Sequence, residues 1–83
     1  MVVFHLRIDV PHGLHLRPAS RIITIIKNRQ SSVKMKYKEK EVRVSELSHL
    51  LKMGINEGGV ITLTVDGPDE EETAEAIMNC IKK

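Results

Sequence analysis

The sequence predicts an α+β domain with the element order β-α-β-β-α-β-α. Alternating apolar and polar residues mark four strands, apolar residues three and four positions apart mark three helices, and turn residues separate most of them. Each predicted strand has one apolar and one polar face, so the apolar face needs a cover. We therefore expect three amphipathic helices packed on one face of a four-stranded sheet, with the other face open to water.

A change in the spacing of apolar residues predicts the first strand and the first helix. Residues 2–9 alternate, whereas from Pro18 to Asn28 the apolar residues follow a helical spacing. Pro18 suits the first turn of a helix, where its missing N–H costs nothing. The inward residues are expected to be Val2, Phe4, Leu6 and Ile8 on the strand, and Ala19, Ile22, Ile23 and Ile26 on the helix.

The middle of the chain predicts a hairpin and a short helix. Residues 33–44 alternate again, around a turn near Lys38 and Glu39 that lacks the usual glycine or asparagine. Ser45 is the expected N-cap of the short helix "ELSHLLKM", and Gly54 is its expected end.

A fourth strand and a third helix complete the chain. In "GGVITLTV" (residues 58–65) the apolar residues Ile61, Leu63 and Val65 are expected to face inward. The acidic stretch "DGPDEEE" suits the start of a helix, because the helix dipole favours negative charge there. We expect this helix to run to about Ile81, with Lys82 and Lys83 closing its C-terminal end.

Composition indicates a single domain spanning residues 1–83. Hydrophobic residues make up 41% and charged residues 29% of the chain, as in ordinary soluble domains, and a net charge of +2 is too small to predict a nucleic-acid or membrane partner. One cysteine, Cys80, excludes an internal disulfide and favours a reducing cytoplasm. No segment resembles a signal peptide or a membrane span, so we expect a cytoplasmic protein without membrane insertion.

The lysine-rich strands could suggest RNA binding. A sheet that binds RNA presents aromatic side chains on its open face. Phe4 and Tyr37 are instead expected on the inward face, so we predict a solvated basic surface and no nucleic-acid partner.

The stretch "GLHLRPAS", residues 13–20, carries the chemistry. A helix N-terminus has unpaired N–H groups and a partial positive charge, and Gly13 allows a sharp turn into it. His15 is then expected at or before the first helical turn, where a neutral imidazole is a nucleophile. Arg17 adds a forked, permanently charged donor for phosphate oxygens. These residues suit a histidine that accepts a phosphoryl group.

Simpler roles are possible for the same residues. A lone exposed histidine before a helix is usually a surface or capping residue, and short motifs produce false matches. His12 and His15 could form half of a metal site, but no further ligands are evident. We therefore expect neither a metal nor a cofactor.

The whole chain resembles the HPr family, the histidine-containing phosphocarriers of the bacterial phosphotransferase system. The signature residues are Gly13, Leu14, His15, Arg17, Pro18 and Ala19, and the likeness extends to "MGINEGG" and "GPDEEE". The resemblance implies an open-faced sandwich of four antiparallel strands under three helices. It implies that His15 takes a phosphoryl group from enzyme I and passes it to enzyme II A domains, stabilised by Arg17 and the backbone N–H groups of Leu16 and Arg17. Such a protein is a monomeric carrier and not a stand-alone enzyme.

The resemblance also implies a docking surface and a regulatory position. By match of position the docking residues are Arg17, Lys27, Leu47, Leu51 and Gly54. Glu46 stands where many relatives carry a serine that a kinase phosphorylates, so regulation by such a kinase is not expected here. Leu16 replaces a residue that is usually small. The alternative function is an HPr-like regulatory protein that acts by binding other proteins, with Glu46 as a fixed negative charge.

Overall fold

The structure is a computed structural model that describes residues 1–81. The predicted roles of Lys82 and Lys83 therefore lie outside the described residues. The structure confirms the predicted element order. The elements are β1 (Val2–Arg7), α1 (Leu16–Lys27), β2 (Ser32–Tyr37), β3 (Lys40–Arg43), α2 (Leu47–Met53), β4 (Val60–Asp66) and α3 (Glu70–Ile81). None of the helices in this part of the chain has the length and apolar character that crossing a membrane needs.

The four strands form one antiparallel sheet in the order β1-β4-β2-β3. The central strand β4 pairs Leu63 with Phe4 of β1 on one side and with Met35 of β2 on the other. Because side chains alternate across a strand, these three residues lie on one face of the sheet. The strand faces predicted from the alternation are therefore confirmed.

Helices pack on this apolar face and bury it. Ile22 of α1, Leu50 of α2 and Ile77 of α3 are fully buried, as are Ile61 and Leu63 beneath them. The polar face of the sheet carries half-buried or exposed threonine, lysine and histidine side chains. This arrangement is the predicted open-faced layer structure.

A hydrogen-bonded network fixes the start of α3. The carboxylate of Asp69 accepts hydrogen bonds from the hydroxyls of Ser31 and Thr73 and from the backbone N–H of Gln30. Ser31 and Thr73 are the buried polar residues of the described chain, so the network satisfies both. It ties α3 to the segment between α1 and β2.

The structure differs from the predicted boundaries in two places, and it confirms the predicted turn at Lys38 and Glu39. Helix α1 begins at Leu16, two residues earlier than predicted. Pro18 is the third helical residue, and it is tolerated there because N–H groups in the first turn have no acceptor within the helix. The predicted N-cap Ser45 is wrong, since Glu46 is the extended residue directly before α2. The β2–β3 turn has no glycine because Lys38 itself adopts a positive φ of 57°.

One close approach positions the loop before α1. The N–H of Leu14 donates to the carbonyl oxygen of Ile55 at 3.0 Å, and Leu14 is buried. Gly13 has a φ of 71°, and a Cβ atom there would lie 2.3 Å from the Ile55 oxygen. Only glycine fits this turn, which presents the next residue, His15, at the surface.

Candidate functional site

His15 is the N-cap of α1. Its backbone is extended (φ −85°, ψ −171°), its carbonyl oxygen accepts the N–H of Ala19 at 3.1 Å, and its side chain makes no capping hydrogen bond. The imidazole is exposed. The ring of His15 is therefore held at the helix start and left accessible to a second molecule.

The first turn of α1 offers two free backbone donors. Leu16 and Arg17 are the first two helical residues, so α1 contains no acceptor four residues before them. Neither N–H donates elsewhere in the hydrogen bonds of residues 1–81. Together with the partial positive charge of a 12-residue helix, they make the helix end next to His15 chemically suited to an anion.

A surface cleft of about 380 Å³ adjoins this helix end, and we call it the His15 cleft. Its walls come from the turn before α1, from one side of α1, and from the C-terminal part of α3. The lining residues are Val10, Pro11, His12, His15, Arg17, Pro18, Arg21, Asn79 and Cys80. The rings of His12 and His15 meet edge to face, with centroids 6.0 Å apart and planes at 76°.

The His15 cleft is electropositive. Two arginines and two histidines line it, and no carboxylate does. The ion pairs of residues 1–81 employ Arg7 and Arg29, so they leave the guanidinium groups of Arg17 and Arg21 available. This charge suits an anionic ligand.

Cys80 lies in the cleft as a half-buried thiol. Burial raises its pKa above the ordinary value, and the nearby positive charge of Arg21 opposes that shift. Because the thiolate is the nucleophilic form, burial makes Cys80 a poor nucleophile.

Sequence reasoning missed part of the cleft. Arg21 is four residues after Arg17, a spacing that places both on one face of a helix, and this signal was available. Asn79 and Cys80 reach the cleft only because α3 packs beside α1, which no local pattern reveals. Residues 1–81 hold no cluster of three or more His, Cys, Asp or Glu side chains placed to bind a metal ion.

Comparison with known families decides the assignment. A family model described as "PTS HPr component phosphorylation site" matches residues 2–83. The chain belongs to the HPr family of phosphotransferase-system phosphocarriers. The resemblance noted from the signature residues is thereby confirmed.

Individual HPr proteins agree with this assignment. The chain is 35% identical over 69 residues to a phosphocarrier protein HPr of Buchnera aphidicola, covering 83% of this chain and 81% of the relative. A crystal structure of HPr-C-His from Thermoanaerobacter tengcongensis superposes with a TM-score of 0.90 at 27% identity, over 98% of this chain and 91% of that one. An HPr dimer from the same organism gives a TM-score of 0.73 at 28% identity, over 92% and 87%. The HPr-like open-faced sandwich is confirmed.

The leucines of α2 divide between core and surface. Leu50 is fully buried, Leu47 is half-buried, and Leu51 is 42% exposed. Leu16, at the start of α1, is 60% exposed, and α1 packs against α2. Leu16 thus places an exposed apolar side chain next to His15 in the chain.

The remaining predicted docking residues lie at helix ends. Gly54 ends α2 in the left-handed conformation, with a φ of 61°. Lys27 is the last residue of α1, roughly 18 Å along the helix axis from His15. A partner that contacts both Lys27 and His15 must therefore follow the full length of α1.

Glu46 occupies the N-cap of α2, and its side chain is exposed. The histidine of the first turn, His49, directs its ring nitrogen Nδ1 at the backbone N–H groups of Ser45 and Glu46. The predicted regulatory position, Glu46, is therefore an exposed carboxylate at a helix start that His49 caps.

Proposed function

We propose that this HPr-family protein carries a phosphoryl group on His15. The single observation that supports this is the exposed His15 ring at the N-cap of a 12-residue helix, beside the two free N–H groups of Leu16 and Arg17. In the transfer, the imidazole nitrogen attacks the phosphorus of phosphorylated enzyme I. The bond from phosphorus to the donor breaks as the bond to His15 forms, so no oxidant or metal is needed.

The chain's own residues then hold the product. Phosphorylation adds close to two negative charges to the ring. The helix end and the guanidinium of Arg17 offset that charge, and the phosphoryl group can move on to an enzyme II A domain. The protein therefore acts as a carrier between two enzymes. In this proposal it is a single-domain cytoplasmic monomer. Its docking surface includes Lys27, Leu47, Leu51 and Gly54.

Incubation with enzyme I and phosphoenolpyruvate tests the assignment. Mass spectrometry should show one added phosphoryl group that acid removes and base leaves in place, as for a phosphoramidate. His15→Ala should abolish the label, whereas His12→Ala, in the same cleft, should retain it. Labelling of His15→Ala would place the phosphoryl group elsewhere.

Substitutions at Arg17 test the role of the guanidinium. Arg17→Ala should slow transfer and leave the free energy of unfolding within about 0.5 kcal/mol, because the side chain is exposed. Arg17→Lys should restore only part of the rate, since a point charge replaces a forked donor. Equal rates in all three proteins would remove Arg17 from the mechanism.

A further inference from the structure

The His15 cleft contains a second arginine that the phosphocarrier signature does not include. Arg21 lies one helical turn after Arg17 and lines the same cleft as His15. Residues four apart share a helix face, so both guanidinium groups belong to one side of α1.

The geometry of α1 lets Arg21 reach the ring of His15. Arg21 is six positions after His15, which is about 9 Å along the helix axis. Side chains on a helix lean toward its N-terminus, so the long side chain of Arg21 can extend toward His15, with which it lines one cleft.

The charge of Arg21 is available to a ligand. It makes no ion pair among residues 1–81, and its side chain is exposed. Its field does act inside the cleft, because it opposes the rise in the pKa of the Cys80 thiol. A dianionic group on His15 would bring negative charge to a cleft that no carboxylate lines.

We propose that Arg21 is a second phosphate-binding residue, which contacts the phosphoryl group on His15 from the α3 side of the cleft. This inference rests on the proposed phosphorylation of His15. Arg17 and Arg21 would then hold the phosphoryl group between two guanidiniums, with the helix end as third donor. Two forked donors favour the dianionic form of the phosphoryl group over its singly protonated form.

The test is a ³¹P NMR titration of the phosphoprotein after enzyme I has been removed. Loss of a nearby positive charge raises the pKa of a phosphate, so Arg21→Ala should move the titration midpoint up by roughly half a unit, a threefold change in the protonation equilibrium. Arg21→Lys should move it by less. Arg43→Ala is the matched control, because it removes the same charge from the exposed side of β3.

The outcomes separate the two proposals. If the unsubstituted protein takes no label on His15, the phosphocarrier function fails and Arg21 loses its ligand with it. If the label forms but Arg21→Ala titrates like Arg43→Ala, the phosphate-binding role of Arg21 is wrong. Slower transfer in Arg21→Ala with an unmoved titration would also overturn it, because it would assign Arg21 to a partner protein.

Discussion

The Nδ1 atom of His49 lies 3.3 Å from the backbone nitrogen of Glu46 and accepts its hydrogen bond. It also accepts from the N–H of Ser45 at 3.2 Å, while the N–H of His49 donates to the carbonyl oxygen of Glu46 at 3.0 Å. Because Nδ1 is an acceptor, the ring carries its proton on Nε2. His49 thus caps the helix that presents Leu47 and Leu51.

His49→Ala should lower the free energy of unfolding by about 1 kcal/mol, because two backbone N–H groups lose their acceptor. His49→Gln is the matched variant, since glutamine at the third helical position closes the same capping box. It should retain most of the stability. Urea unfolding of the three proteins measures this, and equal midpoints would show that water replaces the ring at no cost.

Glu46→Ser should keep or slightly raise the free energy of unfolding, because serine is a favoured N-cap in the extended conformation that Glu46 adopts. If the carboxylate repels an acidic docking surface on enzyme I, the substitution should also speed phosphorylation by enzyme I at low ionic strength. The rate gain should fade with salt, since the charge is exposed. Glu41→Gln, a loss of the same charge on the exposed side of β3, is the control. A rate that is unchanged or slower in Glu46→Ser would leave Glu46 as a helix cap only.

Gly13→Ala should destabilise the protein more than Gly58→Ala. Both glycines have a positive φ (71° and 85°), so each substitution costs about 1–2 kcal/mol of backbone strain. At Gly58 nothing lies within 4 Å of the added Cβ, whereas at Gly13 the carbonyl oxygen of Ile55 lies 2.3 Å away. Thermal unfolding of both variants compares them. Equal losses would mean that the 10–15 loop yields without cost, in which case His15 would not be rigidly placed.

Asp69→Asn should lower stability at neutral pH and lose this effect in acid. The Ser31 hydroxyl, with the Gln30 N–H and the Thr73 hydroxyl, holds the pKa of Asp69 below its ordinary value of 3.8. A depressed pKa in the folded state gives stability that is complete above the unfolded-state pKa and is lost as the pH falls through the folded-state pKa. The difference between the two proteins should therefore shrink below about pH 3.8. Glu75→Gln, exposed on the same helix, is the control, and a pH-independent difference for Asp69→Asn would refute the ionic explanation.

Local patterns predicted most of the fold, because every strand alternates and every helix has an apolar face. The placement of His15 and Arg17 at the start of α1 was also predictable, since positions two apart in the chain need no tertiary information. The helix cap by His49 was not predicted, because the spacing of apolar residues gives no signal for a ring nitrogen that accepts hydrogen bonds from the backbone. The N-cap of α2 was predicted wrongly, because Ser45 is a suitable N-cap residue and local sequence does not show that Glu46, one residue later, takes that position. Lys38 was unpredictable for another reason, since lysine rarely adopts a positive φ.

The position of β4 at the centre of the sheet governs when the protein can fold. Only the β2–β3 hairpin joins strands that are consecutive in the chain, whereas β1 pairs with β4, and the paired residues Val3 and Thr64 are 61 positions apart. The loop that holds His15 likewise waits for Ile55. Contacts between distant residues slow folding, because the intervening chain must lose its freedom before they form. During synthesis the sheet therefore cannot close until about residue 66 has been added, and the loop that holds His15 cannot form its bond to Ile55 before that residue is present.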